Sequence, residues 1–320
     1  MYFGVTWLRN VFYDKGIFKS KSYDFPVICV GNLSVGGTGK TPMIEYLIRL
    51  LSNNFKLATL SRGYKRTTDG FQIADNLSNA ETIGDEPYQF YKKFKEITVA
   101  VDANRQHGIS KSQSLKNPDV ILLDDAFQHR KVKAGFNILL TSYGKLYIDD
   151  ITLPTGDLRE PKSGAKRANI IVVTKCPKDI SIEERNSIKQ RLNADSNQFV
   201  FFSTIEYSNV IYSNSHNINL SELKADNFTL VTGIANAVPL VNFLNDEGYT
   251  FEHINFKDHH NFTDADIEAL NEKDIIVTTE KDFTKLGDKL SGKKVYYLPI
   301  ETRIFEHEKF NKLIMDFCSK

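Results

Sequence analysis

The sequence predicts an α/β protein: a first domain built on a parallel sheet, followed by a second, smaller α/β domain. Three observations carry this. Apolar runs that read as strands alternate with helical segments up to residue 204, the order that gives a parallel sheet covered on both faces. A glycine-rich turn within Ile28 to Pro42 joins the first of these strands to the first of these helices. From about Ile205 the chain turns to polar, strand-forming residues and an Asn/Ser-rich connection through Asn219, after which a fresh αβ alternation starts. The expected domains are therefore 1–204 and 205–320, with the linker strands counted in the second.

Composition narrows the class. The chain has 320 residues, 41% hydrophobic and 25% charged, as in ordinary soluble globular proteins. A net charge of +1 gives no whole-molecule bias toward nucleic acid. Cys29, Cys176 and Cys318 are odd in number and scattered, which argues against a disulfide framework or a zinc site and favours a reducing cytosol. No apolar run reaches the roughly 18 residues that span a bilayer, and no signal-peptide pattern opens the chain.

Taken in order, residues 1–25 interleave Tyr2, Phe3, Trp7, Phe12, Tyr13, Phe18, Tyr23 and Phe25 with Arg9, Lys15, Lys19 and Lys21, and Val5, Leu8, Val11 and Phe12 fall near helical spacing. This fits an interfacial helix with aromatic residues in the lipid boundary, a helix docked on the domain core, or both at once. Next, Ile28 to Asn32 reads as a buried strand, and Ser34, Val35, Gly36, Gly37, Thr38 and Gly39 as a loop whose backbone N–H groups cradle phosphate. Lys40 then reaches the β- and γ-phosphates and the Thr41 hydroxyl takes a place on Mg²⁺, as in a P-loop. Ser34 departs from the strict pattern, which has glycine there.

A strand from Lys56 to Leu60 ends in Ser-Arg-Gly-Tyr-Lys-Arg, which makes Arg62 and Lys65 candidates for phosphate. Gly84-Asp85-Glu86-Pro87 opens a helix, where Asp85 by itself reads first as a cap. After a strand at Ile97–Val101, the run Val120–Leu123 delivers Asp124 and Asp125 to a strand's carboxyl end, where a Walker-B acid holds Mg²⁺. Strands follow at Phe136–Thr141, Ala168–Thr174 and Phe199–Thr204, the last expected in this sheet, with a helix at Ile182–Leu192. Thr174-Lys175-Cys176-Pro177 lacks the Asn and Asp of a guanine-specificity segment. In the second domain, strands are expected at 228–232, 250–256, 275–279 and 295–299, with helices ending at Leu244 and spanning Asp264 to Leu270.

Cradle, Mg²⁺ acids and basic strand ends together mark a P-loop NTPase-like domain that transfers or hydrolyses phosphate. The choice comes from resemblance. G-N-L-S-V-G-G-T-G-K-T, S-R-G-Y, G-D-E-P, L-D-D-A-F-Q-H, G-x-L-R-E-P, D-H and T-T-E-K-D resemble, in order, the signatures of the tetraacyldisaccharide 4′-kinase family. The resemblance implies ATP-dependent phosphorylation of the 4′-hydroxyl of an acylated glucosamine disaccharide 1-phosphate, late in lipid A synthesis. It implies ATP and Mg²⁺, a lipid substrate, a position on the cytoplasmic face of the inner membrane, no obligate protein partner, and a β-ribbon between domains. It makes Asp85 the general base, paired with His259 when the domains meet, although His260 follows directly and also fits the D-H pattern. Arg62, Gln128, His129 and Arg159 fall near phosphate or the acceptor sugar. Ala126 stands where the family usually has glycine, which raises the question of a positive φ. The competing class is a P-loop switch or metallochaperone-type NTPase, which leaves the aromatic amino terminus and the D-H loop without a purpose.

Overall fold

In a computed structural model that describes residues 2–258, 260–290 and 294–319, the chain forms two units, 1–205 with 302–320 and 206–301. The first contains α1 (Tyr2–Asp14), β1 (Val27–Asn32), α2 (Lys40–Leu51), β2 (Leu57–Ser61), β3 (Gln72–Ile73), α3 (Ala80–Ile83), α4 (Asp85–Lys93), β4 (Thr98–Val101), α5 (Arg105–Lys116), β5 (Val120–Asp124), β6 (Phe136–Ser142), β7 (Ile170–Thr174), α6 (Ile182–Leu192) and most of β8 (Phe199–Tyr207). The second contains β9 (Val210–Tyr212), β10 (Asn217–Asn219), β11 (Phe228–Thr232), α7 (Val238–Asp246), β12 (Phe251–Asn255), α8 (Asp264–Asn271), β13 (Ile275–Thr279), α9 (Glu280–Leu286) and β14 (Lys294–Leu298). The chain then returns through β15 (Ile300–Ile304) to α10 (His307–Cys318).

The first sheet runs β15-β8-β7-β6-β1-β5-β2-β4-β3. From β8 across to β4 every neighbouring pair is parallel, and β3 adds an antiparallel edge. Its central strands are mostly apolar and buried because both faces are covered, and strand side chains alternate between them. Val27 and Cys29 enter one apolar cluster with Leu139, Ile171 and Val173. Ile28 and Val30 enter the other, with Leu122, Ile138 and Val172 and with Met43, Ile44, Leu47 and Leu51 of α2.

The chain's last segment belongs to this first sheet. From the sequence everything after 204 is expected in the second domain, with Phe199–Thr204 the last strand of the first sheet; instead, β15 pairs beside β8, and Phe310, Ile314 and Cys318 of α10 join the apolar cluster that contains α2. Phe310 is fully buried, and burying such a ring contributes about 1.5–3 kcal/mol. The helix has an apolar stripe at i, i+4, i+8 and needs a face to cover.

The second unit has a six-stranded sheet, β10-β9-β14-β13-β11-β12. Its β14, β13, β11 and β12 are parallel, and β9 and β10 extend it antiparallel. Leu230 and Val277 face one cluster with Leu240 and Leu244 of α7, while Val231 and Ile276 face another with Leu270 and Leu286.

Candidate active site

Strand order reverses at β1, with β5, β2 and β4 on one side and β6, β7 and β8 on the other. Open α/β sheets bind ligands beyond the carboxyl ends of the strands at such a switch point. The loop that leaves β1 there exposes Val35, Gly36 and Gly37. Gly36 and Gly39 have φ of 97° and 85°, backbone that a Cβ would strain. Nothing lies within 4 Å of the space a Gly36 side chain would fill. Gly39 precedes α2, whose first turn has no side-chain cap, so its free N–H groups and the helix dipole suit an anion. These features fit the triphosphate of a nucleotide.

The departure at Ser34 has a simple cause. Ser34 forms an antiparallel bridge with Leu158, the Val35 amide donates to the Asp157 carbonyl at 2.7 Å, and that of Arg159 to Leu33 at 2.7 Å. A residue paired in this way needs no glycine. The loop is further braced from within and from β7. Asn32 donates Nδ2 to Thr38 Oγ1 (2.7 Å), Thr174 donates Oγ1 to the Thr38 carbonyl (2.8 Å), and Lys175 donates Nζ to the Gly37 carbonyl (2.6 Å). Burial and the charge of Lys40 hold the Lys175 ammonium below its ordinary pKa. Thus Thr174-Lys175 supports the cradle, a role that its comparison with a guanine-specificity segment missed.

The adjacent acids occupy different environments. Asp124, at the end of β5, is 3% exposed; Oδ2 accepts from the Ser61 hydroxyl at 3.1 Å and Oδ1 is buried without a hydrogen-bond partner. Burial, then the charges of Glu86 and Asp125, push its carboxyl up to about 7, against the pull of Lys40 and Ser61. For Asp125 burial acts in the same direction, but Lys40 and Arg159 outweigh it and hold the carboxyl below its ordinary value. Both Asp125 oxygens accept from Arg159, at 2.8 and 3.1 Å, and Lys40 Nζ lies 3.8 Å away. Arg159 also donates to Asn32 Oδ1. The positive φ in this stretch is at Asp125, 47°, so Ala126 does not need to be glycine.

Glu86 is a site residue that the sequence reading quoted only within a motif. Its Oε1 accepts from the Thr41 hydroxyl at 3.3 Å, and its charge raises the Asp124 carboxyl more than that of Asp125 does. Among the described residues no three His, Cys, Asp or Glu side chains are grouped as a closed metal site. Mg²⁺ does not require one: it keeps several waters and takes one or two carboxylates plus nucleotide phosphate. An orphaned buried carboxylate oxygen beside a hydroxyl fits such an ion.

Asp85 occupies the first turn of α4, and Gly84, φ 96°, precedes it as the cap residue, so the capping role weighed for Asp85 is not the one it has. A Cβ on Gly84 would come within 3.2 Å of the Tyr64 carbonyl and 3.3 Å of Gly63 Cα. The S-R-G-Y loop and the G-D-E-P turn are therefore packed backbone to backbone.

A basic cluster lies beyond β5. His129 is half-buried with Nε2 lacking a partner, and burial, then the charges of Arg105, Lys131, Arg9 and Arg62, push its pKa down to about 4. The imidazole is neutral at pH 7. Gln128 Oε1 is likewise buried without a partner, while its Nε2 donates to the Asn32 carbonyl and to Glu160. Arg105 is 3% exposed and donates to the Asp102 and Asp124 carbonyls at 3.1 and 3.4 Å. Its burial gave no signal in the sequence.

In the second unit, His259 lies outside the described residues. His260 Nε2 lies 2.9 Å from Asp266 Oδ2, and its ring stacks on Phe256 with centroids 4.6 Å apart. The T-T-E-K-D segment and the residues after it hold this loop: Lys281 and Lys285 of α9 and Lys289 in the turn beyond it reach Asp258 Oδ1, the His260 carbonyl and the Phe262 carbonyl at 3.3, 3.4 and 3.2 Å. Asp282, 1% exposed, accepts from the Gly233 amide at 2.8 Å and ties α9 to the end of β11.

Comparison with known proteins shows the family. A family model described as tetraacyldisaccharide-1-P 4′-kinase, LpxK, matches residues 1–319. The tetraacyldisaccharide 4′-kinase of Flavobacterium johnsoniae is 54% identical over 322 residues, 99% of this chain and 94% of that protein. The enzyme of the same name from Bacteroides thetaiotaomicron is 45% identical, over 99% of this chain and 90% of its own length. A crystal structure of Aquifex aeolicus LpxK in complex with ATP superimposes with a TM-score of 0.81 at 30% identity, covering 99% of this chain and 96% of that one.

Proposed function

The chain belongs to the tetraacyldisaccharide-1-P 4′-kinase family, and on that premise we propose that it transfers the γ-phosphoryl group of ATP to the 4′-hydroxyl of a tetraacyldisaccharide 1-phosphate, giving the 4′-phosphorylated lipid A precursor. The observation that carries this is the cradle of residues 34–39 with Lys40 and Thr41 at its end and Asp124, Asp125 and Glu86 around them. Lys40 neutralises charge on the β- and γ-phosphates. Thr41, Asp124 and Asp125 would hold Mg²⁺, with Glu86 as an added carboxylate, and such an ion would supply neutralisation of phosphate charge. Arg159 keeps Asp125 ionised and oriented.

Asp85 accepts the proton of the attacking hydroxyl, and His259 is the partner that the family resemblance assigns to it. Asp266 and Phe256 already engage the His260 ring, which supports His259 as that partner. Arg62, Gln128, His129 and Arg159 serve phosphate and the acceptor sugar. The buried acceptors Gln128 Oε1 and His129 Nε2 suit sugar hydroxyls, which donate.

The protein works at the cytoplasmic face of the inner membrane. No helix among the described residues is long and apolar enough to cross a bilayer. α1 and the turn after it expose Val5, Trp7, Leu8, Ile17 and Phe18, with Lys15 and Lys19 also at the surface, which supports shallow insertion beside anionic headgroups. Incubating the protein with γ-labelled ATP, Mg²⁺ and tetraacyldisaccharide 1-phosphate should place label in the lipid on a thin-layer plate. Label released only as free phosphate overturns the kinase reading in favour of a switch NTPase. Deleting residues 1–25 should move the protein from the membrane to the soluble fraction, and an unchanged distribution refutes the anchor.

A further inference from the structure

The inner side of α1 is polar where it docks. Asn10, 7% exposed, donates Nδ2 to Glu160 Oε2 at 2.7 Å. Glu160 is 3% exposed, and its other oxygen accepts from Arg167 at 2.7 Å and from Gln128 Nε2 at 3.0 Å. Gln128 Nε2 also donates to the carbonyl of Asn32, the residue that ends β1 and holds Thr38 in the cradle. Arg9 donates to the Gln128 carbonyl at 2.9 Å. A helix needed only as an anchor has no use for a buried amide on a buried carboxylate, since burying such groups is costly, the more so here because Asn10 Oδ1 is buried without a partner.

We propose that α1 is also a positioning element of the catalytic centre, with Asn10 and Glu160 as its positioning residues: through them the lipid-facing helix fixes Gln128 and Asn32 beside the phosphate cradle. This rests on the kinase reading and adds to it. Membrane contact and site geometry then share one helix, so a shift of α1 at the lipid surface reaches the cradle through Asn10, Glu160, Gln128 and Asn32. Glu160 is the E of the G-x-L-R-E-P signature, and this gives it a purpose distinct from that of the preceding Arg159.

The test uses the full-length protein in detergent micelles containing saturating tetraacyldisaccharide 1-phosphate, where attachment to a bilayer is not limiting. Asn10→Ala should lower kcat about tenfold, with sedimentation onto anionic phospholipid vesicles unchanged. Asn10→Asp sets a carboxylate against Glu160, whose other charged neighbour here is Arg167; the pair then shares a proton more readily as pH falls. Its kcat relative to the unsubstituted protein should rise about fivefold between pH 8.5 and 6, a recovery that a packing defect does not produce. Should either Asn10 variant fail to fold, Glu160→Gln replaces it, with the same expected loss of kcat at unchanged vesicle binding. Folded variants that keep kcat within twofold, or that lose activity on vesicles only in step with lost vesicle binding, overturn the proposal. Failure of the kinase reading shows separately, as no labelled lipid from the unsubstituted protein.

Discussion

Asp124→Asn should make the nucleotide-free protein more stable, and more so at higher pH. In the folded protein the Asp124 carboxyl sits at about 7 rather than the ordinary 3.8, because it is buried and faces Glu86 and Asp125. A carboxyl whose folded pKa is raised binds more protons in the native state, so its ionisation destabilises the fold progressively from about pH 4 to pH 7, and fully above that. A displacement of about three pH units at about 1.4 kcal/mol each sets a ceiling of about 4 kcal/mol on what the amide can recover. At about 2–4 °C per kcal/mol, the variant should melt at least several degrees higher at pH 8. By pH 5 only about 1.2 of those units has accrued, and the difference should fall to less than half. The assay is a thermal melt in EDTA at several pH values. A variant less stable than the parent at pH 8, or a difference that ignores pH, refutes the reasoning. Mg²⁺ with ATP should reverse the order by stabilising only the protein that keeps the acid.

Further substitutions separate the other roles. Asp85→Ala should cut kcat by about 10²–10⁴-fold, the range for losing a general base, while titration calorimetry shows ATP affinity nearly intact; a collapse in that affinity would reassign Asp85 to the metal. Arg159→Lys keeps the charge but loses the paired contact with Asp125, so kcat should drop roughly 10-fold or more, and near-normal turnover would show that charge alone suffices. Ala126→Gly should cost about 0.5–1 kcal/mol in a denaturant melt because the left-handed residue is Asp125; a more stable variant would contradict that backbone. Calorimetric Mg²⁺–ATP binding near pH 7, repeated in buffers of different ionisation enthalpy, should reveal proton release by Asp124, and buffer-independent heats would argue against it.

Much of the site was legible because its parts are local. A loop whose glycines sit at fixed distances from a Lys-Thr pair, and four apolar residues that end in two aspartates, fix their own strand–turn geometry within a few residues. The helix at 182–192 was legible for the same reason, with Ser181 as its cap and acids in its first turn. What short-range patterns do not encode is which face a segment meets.

By itself, then, the sequence determined the alternation that builds a parallel sheet, the glycine-rich loop between its first strand and first sheet-covering helix, and the family. Only the tertiary structure decided that β15 and α10 complete the first sheet, because an amphipathic helix specifies that it needs an apolar face and not which one. Folding also put Glu86 beside Thr41, and gave the two neighbouring aspartates opposite pKa shifts through burial on one side and Arg159 with Lys40 on the other. It brought Asn10 against Glu160 across 150 residues of chain, a contact with no local signature because the partner of a buried amide is set by packing and not by spacing.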